Sequence, residues 1–395
     1  MNPFVGLWSK KRLLKKGRLT SCLILIALVM TPLVCALIFS DSMMEGITGK
    51  YIHLSDGHLQ LNYYEGGREL SEFNIADYKE MLYSADEVTS GYALMYSSTA
   101  TCSLIVKGVG IGYFNEKRLS QITFEISDNP TASNLKGIAI SRATAKALNV
   151  GLGDRVALMI VPDDADKALR PVLLRITSIF YTGYDQLDRL LSFIDIDYAK
   201  TLYSSKSSSS VELLVQNDYT EKLDSVIASI GDDYDISKWN EHNISVYENF
   251  VTSRQMIFVI LLLVVIVAAF YTASVAQQMI QDDIQDIAIA KLIGSSDAVV
   301  RKSAFLSVYT VTCLGMLLGI ALGLIIGCSL GPALTGLSSL GIQSLSFYLL
   351  DFDITIPWIS ILIISVCLLA ISFISIRFSL RKTKAITPIR LFTSF

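Results

Sequence analysis

The sequence predicts a membrane protein with four transmembrane α-helices and a large mixed α/β extracytoplasmic domain between spans 1 and 2. Three observations predict it. Of 395 residues, 52% are apolar and the mean hydropathy is +0.48, a surplus gathered in long runs rather than spread evenly. Four runs, Ser21–Ser40, Met256–Ala276, Ala304–Cys328 and Ile354–Ile376, contain no Asp, Glu, Lys, Arg or His. Each suffices to cross about 30 Å of hydrocarbon, which takes roughly 20 helical residues. Residues 41–254, between the first two runs, are polar, strand-rich and numerous enough to form a core without disulfides.

Residues 1–20 form a basic leader, "SKKRLLKKGR". The span at 21–40 reads as an uncleaved anchor, because no small-x-small cleavage site follows and "PLVCA" places bulky Val34 before Cys35. Pro32 is expected to bend this span or loosen its hydrogen bonding. Six Lys and Arg precede it, three lie in 277–303, five follow Ile376, and none lies in 329–353. Basic segments stay inside. The expectation is an inner-membrane, multi-pass chain with cytoplasmic termini and a cytoplasmic 277–303 loop. Segment 41–254 and loop 329–353 then face outward, and 377–395 is a cytoplasmic tail.

The outer segment holds 30 Asp and Glu against 19 Lys and Arg, a net of −11, which argues against a nucleic-acid partner. Only Cys102 of the six cysteines lies well inside it, which excludes an internal disulfide. "HLQLNYY" alternates like a strand. In "SRATAKALNVGLGDRVALMIV", Ser141 caps a short helix through Leu148, "NVGLGD" turns, and "RVALMIV" is a strand. "PVLLRITSIFYTG" pairs with that strand as a hairpin with the charged tip "PDDADKALR". "SSKSSSS" is a surface loop. "VELLVQN", "DYTEKLDSVIASIG" and "DYDISKW" read as strand, helix and strand. These elements divide the domain into a membrane-near βαβ part, about 41–100 and 211–245, and a β-rich distal part, about 101–210. "SVYENFVTSRQ" enters the span at 256–276 without a breaker, predicting one continuous helix.

In the third span, 304–328, Gly315, Gly319, Gly323 and Gly327 recur every four residues on one face and permit close helix approach, within one subunit or between two. Enzymatic motifs are missing: there is no P-loop, no H-E-x-x-H and no G-x-S-x-G. His53 and His58, at odd spacing in a strand-like stretch, are expected on opposite faces, without a metal site. Spans free of charge argue against ion-coupled transport. Energy for any work is expected from outside the chain.

The cytoplasmic segment 277–303 contains "DIQDIAIAKLIGSSDAVVRKS". On a helix, Ile284, Ile287, Ala288 and Leu292 share a face. Asp282, Asp283 and Asp286 suit its N-terminus, Lys291 its C-terminus, and Gly294 its stop. Ser295, Ser296 or Asp297 caps the next helix. Lipid-lying helices are usually basic, so an amphipathic helix beginning with three acids fits a groove on a partner better.

This segment resembles the coupling helix of FtsX-like permeases of ABC transporters, with its "E/D-I-A-x-L-[KR]-x-L-G-A-[ST]" pattern. Asp286, Ile287, Ala288, Lys291, Leu292 and Gly294 fall near those positions, with the basic residue slightly shifted and Ser295 in place of the usual Ala. The glycine ladder resembles the family's next span, and "RKTKAITPIRLF" its "A-x-x-x-P-x-x-x-L" end. In the outer domain, "GIAISRATAKALNVGLGDRVALM" and "ITSIFYTGYDQLDRLLSFIDIDYAKTLY" are similar to motifs of the lipoprotein-releasing LolC/LolE branch. Ser178 departs from the family Gly, and Lys200 from the family Gln.

The resemblance implies a permease subunit, not an enzyme. It would bind no cofactor itself, and ATP and Mg would act through a cytoplasmic ABC ATPase dimer docked on the coupling segment. It further implies a second permease copy or paralogue, a lipoprotein substrate drawn from membrane lipid, and a periplasmic lipoprotein carrier. Met43, Met44, Phe258 and Leu262 are candidates for a groove that holds acyl chains. Within the superfamily the alternatives are a MacB-like mechanotransmitting efflux permease and an FtsX-like activator of a cell-wall hydrolase. The latter usually has a much smaller outer domain.

Overall fold

The computed structural model describes residues 18–64, 66–126, 135–160, 171–203, 208–231, 233–282, 287, 289, 295–338 and 354–381. In chain order the helices are α1 (Arg18–Tyr51), α2 (Glu116–Leu119), α3 (Arg142–Leu148), α4 (Asp185–Leu190), α5 (Ile196–Leu202), α6 (Leu223–Ile230), α7 (Trp239–His242), α8 (Ile244–Asp282), α9 (Asp297–Ser338) and α10 (Trp358–Arg381). The strands are β1 (Leu59–Asn62), β2 (Leu82–Tyr96), β3 (Thr101–Val109), β4 (Thr123–Ile126), β5 (Gly137–Ser141), β6 (Arg155–Ile160), β7 (Pro171–Tyr181), β8 (Leu191–Asp195), β9 (Ser209–Val215) and β10 (Asp235–Lys238). The chain divides into a helical unit and an α/β unit, Met44–Asn249 with Leu334–Phe352. It passes between them within α1 and again within α8.

Four helices of the helical unit are long and apolar enough to cross a membrane. Their shared core contains a stripe of α1, Cys22, Ile26, Met30, Val34 and Ile38, spaced four apart. The glycine ladder of α9 has the same spacing and lies against this stripe. A methyl at Gly319 would come within 2.5 Å of Met30 Cβ, and one at Gly323 within 2.6 Å of Val34 Cβ. The backbones are close enough for the Thr31 hydroxyl and the Cys35 thiol to reach the carbonyls of Gly319 and Gly323, both at 3.4 Å. The ladder thus packs two spans of one chain. Pro32 lies inside α1. Elsewhere in the unit, Ser42 and Thr355 exchange hydrogen bonds, Arg254 pairs with Asp41 at 3.3 Å, and Ser379 donates to the Ala273 carbonyl at 2.8 Å.

The α/β unit is built on one ten-stranded sheet, ordered β10-β1-β9-β2-β3-β8-β5-β7-β4, with β6 bridging β2 and β7. That bridge closes the ring β2-β3-β8-β5-β7-β6 into a six-stranded barrel. Its interior is filled by alternate residues: Ala93 and Met95, Leu104 and Val106, Ile138 and Ile140, Val156 and Leu158, Leu174 and Ile176. Period-two alternation is what a strand with one buried face requires. Ser141 accepts a hydrogen bond from the Thr144 amide and starts α3, and Asn149, left-handed at φ 52°, ends it. The hairpin β6–β7 is antiparallel, and its tip lies outside the described residues.

β9, α6 and β10 form a βαβ crossover with β1 inserted between its two strands. The predicted helix before β10 begins as a 3-10 turn, Asn217–Lys222, and becomes α-helical at Leu223. A second core lies here, under α6, around Leu59, Leu61, Leu82, Leu213 and Val226. A boundary near residue 100 falls beyond the strand both parts share. β2 pairs with β9 over Leu82–Thr89 and with β6 over Ala93–Tyr96, so its second half belongs to the barrel.

The glycine geometry sets an order of damage. At Gly319 and Gly323 the obstacles include a carbonyl oxygen of α1 at 3.0 Å, whereas at Gly327 the first obstacle is the mobile Ile38 Cδ1. Gly319→Ala and Gly323→Ala are expected to cost about 1–3 kcal/mol, in the range of overpacking, and Gly327→Ala less. Thermal unfolding of the detergent-solubilised chain checks this ranking, and equal losses at all three would contradict it.

Candidate functional site

The densest charge cluster in the described structure lies within the α/β unit, where α1 ends. After Tyr51 the helix widens into a π-helical turn, Ile52–Asp56. The last carbonyls of any helix lack intrahelical partners and carry partial negative charge. Here two buried cations meet them. Lys107 of β3 donates to the Leu54 carbonyl at 3.0 Å and the Ser55 carbonyl at 2.7 Å. Arg118 of α2 donates through Nε to the His53 carbonyl at 2.8 Å.

Counter-charges come from the sheet. Glu212 of β9 pairs with Lys107 and, at 3.6 Å, with Arg118, which also pairs with Asp86. Lys107, Arg118 and Glu212 are each at most 2% exposed. The Tyr113 hydroxyl stands 3.1 Å from Glu212, and the Arg118 guanidinium stacks 3.8 Å above its ring. Two cations face two carboxylates, and the Asp56 carboxylate also acts on Lys107 and Glu212. Burial pushes the Lys107 ammonium down and the Glu212 carboxyl up, and each is opposed by its partner's charge.

Neighbouring contacts join the same end. Buried Lys50 of α1 donates to the Thr182 carbonyl, just after β7. Asp188 accepts from the Thr182 amide and hydroxyl, and burial raises its carboxyl to about 6. Asn243, one residue before α8, donates to Asp56 at 2.7 Å. The end of one long helix and the start of the other are therefore held by one set of side chains. The geometry is that of an attachment: Lys107 and Arg118 bond backbone carbonyls at the end of α1 and pair with carboxylates of the sheet. Among the described residues no group of His, Cys, Asp and Glu is disposed to hold a metal ion.

His53 and His58 are not on opposite faces. The π-turn brings their rings to 6.1 Å, edge to face. His58 Nδ1 accepts the Val215 amide at 3.1 Å, which requires a neutral ring, and burial lowers its pKa to about 3.

Of the predicted coupling residues, Asp286, Ala288, Lys291, Leu292 and Gly294 lie outside the described residues. Ile287 is 2% exposed and part of the span core, while Ile289 is 55% exposed. Ile287 lies seven residues, two helical turns, beyond buried Ile280. Met43 and Met44 fall in different units. With Phe258 and Leu262 they are half-buried, as ordinary packing residues on a span would be.

Motif reading missed Lys107, Arg118 and Glu212. For Lys107 and Glu212 the signal was a single charge inside an otherwise apolar strand, "SLIVKGV" and "SSVELLV"; Arg118, in the polar α2, carried none.

Four membrane-length helices, with an α/β unit inserted between the first two, define a multi-pass membrane protein. Residues 258–388 match the family model described as FtsX-like permease C-terminal, and the chain carries an FtsX-like permease domain there. It is 22% identical over 188 residues to the lipoprotein-releasing system transmembrane protein LolC of Xylella fastidiosa, covering 46% of each chain. The chain thus spans about half the length of the curated relative it matches. The extracellular domain of the noncanonic ABC-type transporter YknZ from Gram-positive bacteria aligns with TM-score 0.26 and 13% identity, over 42% of this chain and 87% of that one. A permease-protein domain from Porphyromonas gingivalis aligns with TM-score 0.27 and 12% identity, over 44% and 80%. At such low TM-scores the fold rests on the strand pairings themselves.

Removing one member of a buried ion pair strands the other. Glu212→Gln is expected to cost about 3–5 kcal/mol, and Lys107→Met in the same chain to restore part of it. Hydrogen exchange at β1 and β9 in the full chain reads this out, and no loss in Glu212→Gln would contradict it. His58 supplies a pH test. Its folded pKa is below the unfolded value of about 6.5, so its contribution is full above that pH and lost as pH falls toward 3. The stability gap between wild type and His58→Gln is therefore expected to shrink on acidification below pH ~6.5, by up to about 1.4 kcal/mol per pH unit. A gap constant with pH would contradict it.

Proposed function

We propose that this chain is the permease subunit of an FtsX-like ABC transporter that couples cytoplasmic ATP hydrolysis to release of lipoproteins from the outer leaflet of the cytoplasmic membrane. The match of residues 258–388 to the FtsX-like permease domain carries the transporter reading. The LolC similarity supports lipoprotein release as the work done. The N-terminus, the 277–303 loop and the tail face the cytoplasm, where Lys and Arg concentrate.

A partner ATPase dimer holds ATP and Mg and bears on the segment Asp286–Gly294. A second permease, a copy or a paralogue, completes the assembly, and a periplasmic carrier accepts the lipoprotein. Extraction needs outside work because each acyl CH₂ costs ~0.8 kcal/mol to expose. The clamp of Lys107 and Arg118 on the end of α1, with Asn243 at the start of α8, fits this role. Both helices leave the α/β unit through anchored ends, so a displacement of either reaches the sheet without being absorbed in a loose joint.

Copurification of the detergent-solubilised complex with its ATPase, followed by mass spectrometry, is expected to find triacylated lipoprotein. Its repeated absence, with peptide or hydrolase bound instead, would sink lipoprotein release. Leu292→Asp is expected to abolish ATPase association while leaving the chain inserted. It is preferred to a change at Ile287, whose burial would confound docking with folding.

A further inference from the structure

Where α9 begins and α10 ends, the helical unit has a cleft of about 740 Å³ lined by Ala298, Arg301, Lys302, Phe305, Phe373, Arg377 and Leu380. That volume is in the range of small-molecule sites, roughly 300–1,000 Å³. Three of these seven lining side chains are cations and none of the seven is an acid. Among the described residues, no ion pair joins Arg301, Lys302 or Arg377 to a carboxylate. Like charges gathered in one place repel one another, so the cleft favours an anion.

The rest of the lining is apolar. Phe305 and Phe373 meet edge to face at 5.1 Å, and Phe305 stacks on Tyr309 at 5.5 Å. Beside the cleft on α10, Ile374 and Phe378 are 53% and 62% exposed, as side chains turned to hydrocarbon are. The cations sit in the first turns of one span and the last turns of another, where a span meets the headgroup layer. A soluble anion would use the charge and leave the aromatic wall wet. A phospholipid uses both.

We propose that this cleft binds one anionic phospholipid, its phosphate held by Arg301, Lys302 and Arg377 and its acyl chain on Phe373 and its neighbours. The headgroup would tie the start of α9 to the end of α10. In the chain, the start of α9 follows the proposed coupling segment and the end of α10 precedes the tail. Binding here is independent of what the protein moves.

Native mass spectrometry of the purified full-length chain, titrated with phosphatidylglycerol or phosphatidylcholine, tests this. Phosphatidylglycerol is expected to be retained in preference to phosphatidylcholine. Arg301→Gln with Arg377→Gln is expected to weaken that binding at least about tenfold, at about 1 kcal/mol per basic residue. Arg301→Lys with Arg377→Lys keeps the charge and should keep most of the binding, which separates charge loss from misfolding. Arg254→Gln, at a different ion pair, should leave it unchanged. Equal retention of the two lipids, or binding undiminished in the double Gln variant, would overturn the proposal. So would inorganic phosphate binding that the double Gln variant loses while phosphatidylglycerol stays bound, since the site would then serve a soluble anion.

Discussion

The carbonyls at the end of α1 must be satisfied inside the protein, because the helix ends among buried side chains rather than in water. Lys107 and Arg118 meet that demand, and most of the surrounding architecture follows from it. Two buried cations cost more than a helix cap returns unless paired. Glu212 and Asp86 therefore stand opposite them, on the two neighbouring strands β9 and β2. Tyr113 fills the space between with a ring that stacks on one cation and a hydroxyl that reaches the carboxylate. A single apolar substitution cannot be absorbed there, since each member is the counter-charge or the hydrogen-bond partner of another.

The two units use opposite chemistry for the same purpose. In the helical unit contact is made by leaving atoms out: glycines every four residues let α9 lie on α1 closely enough for side-chain hydroxyl and thiol to reach backbone carbonyls. Within hydrocarbon there is little hydrophobic gain from association, so close packing has to supply it. In the α/β unit the barrel gains from burying alternate aliphatic side chains, and the charged cluster lies outside that interior.

The spans, the α3 cap at Ser141, the β6–β7 hairpin and the βαβ of β9, α6 and β10 were legible because each depends on local patterning: charge-free runs, a capping hydroxyl, alternation. Barrel closure was not legible. It depends on β6 meeting β2, about sixty residues earlier in the chain, and nothing in either strand's own pattern names its partner. The histidine faces were misread because five residues of strand and five of π-turn place side chains differently. The charged cluster escaped motif reading because its members come from β2, β3, α2 and β9, and only the fold assembles them.

Strand β2 has one last consequence. Because β9 and β6 divide one of its sides and β3 covers most of the other, it offers a newcomer little backbone. Ring closure does the same for the remaining barrel strands. Among the described strands, β4 and β10 end the order with one whole edge free, while β2 over Leu82–Glu87 and β3 over Thr101–Leu104 are unpaired on one side only. An extended peptide that docks by continuing a sheet, as many recognition domains allow, would find a whole strand edge only at these two strands of four residues each. Short end strands are one way a sheet limits unwanted strand pairing and aggregation.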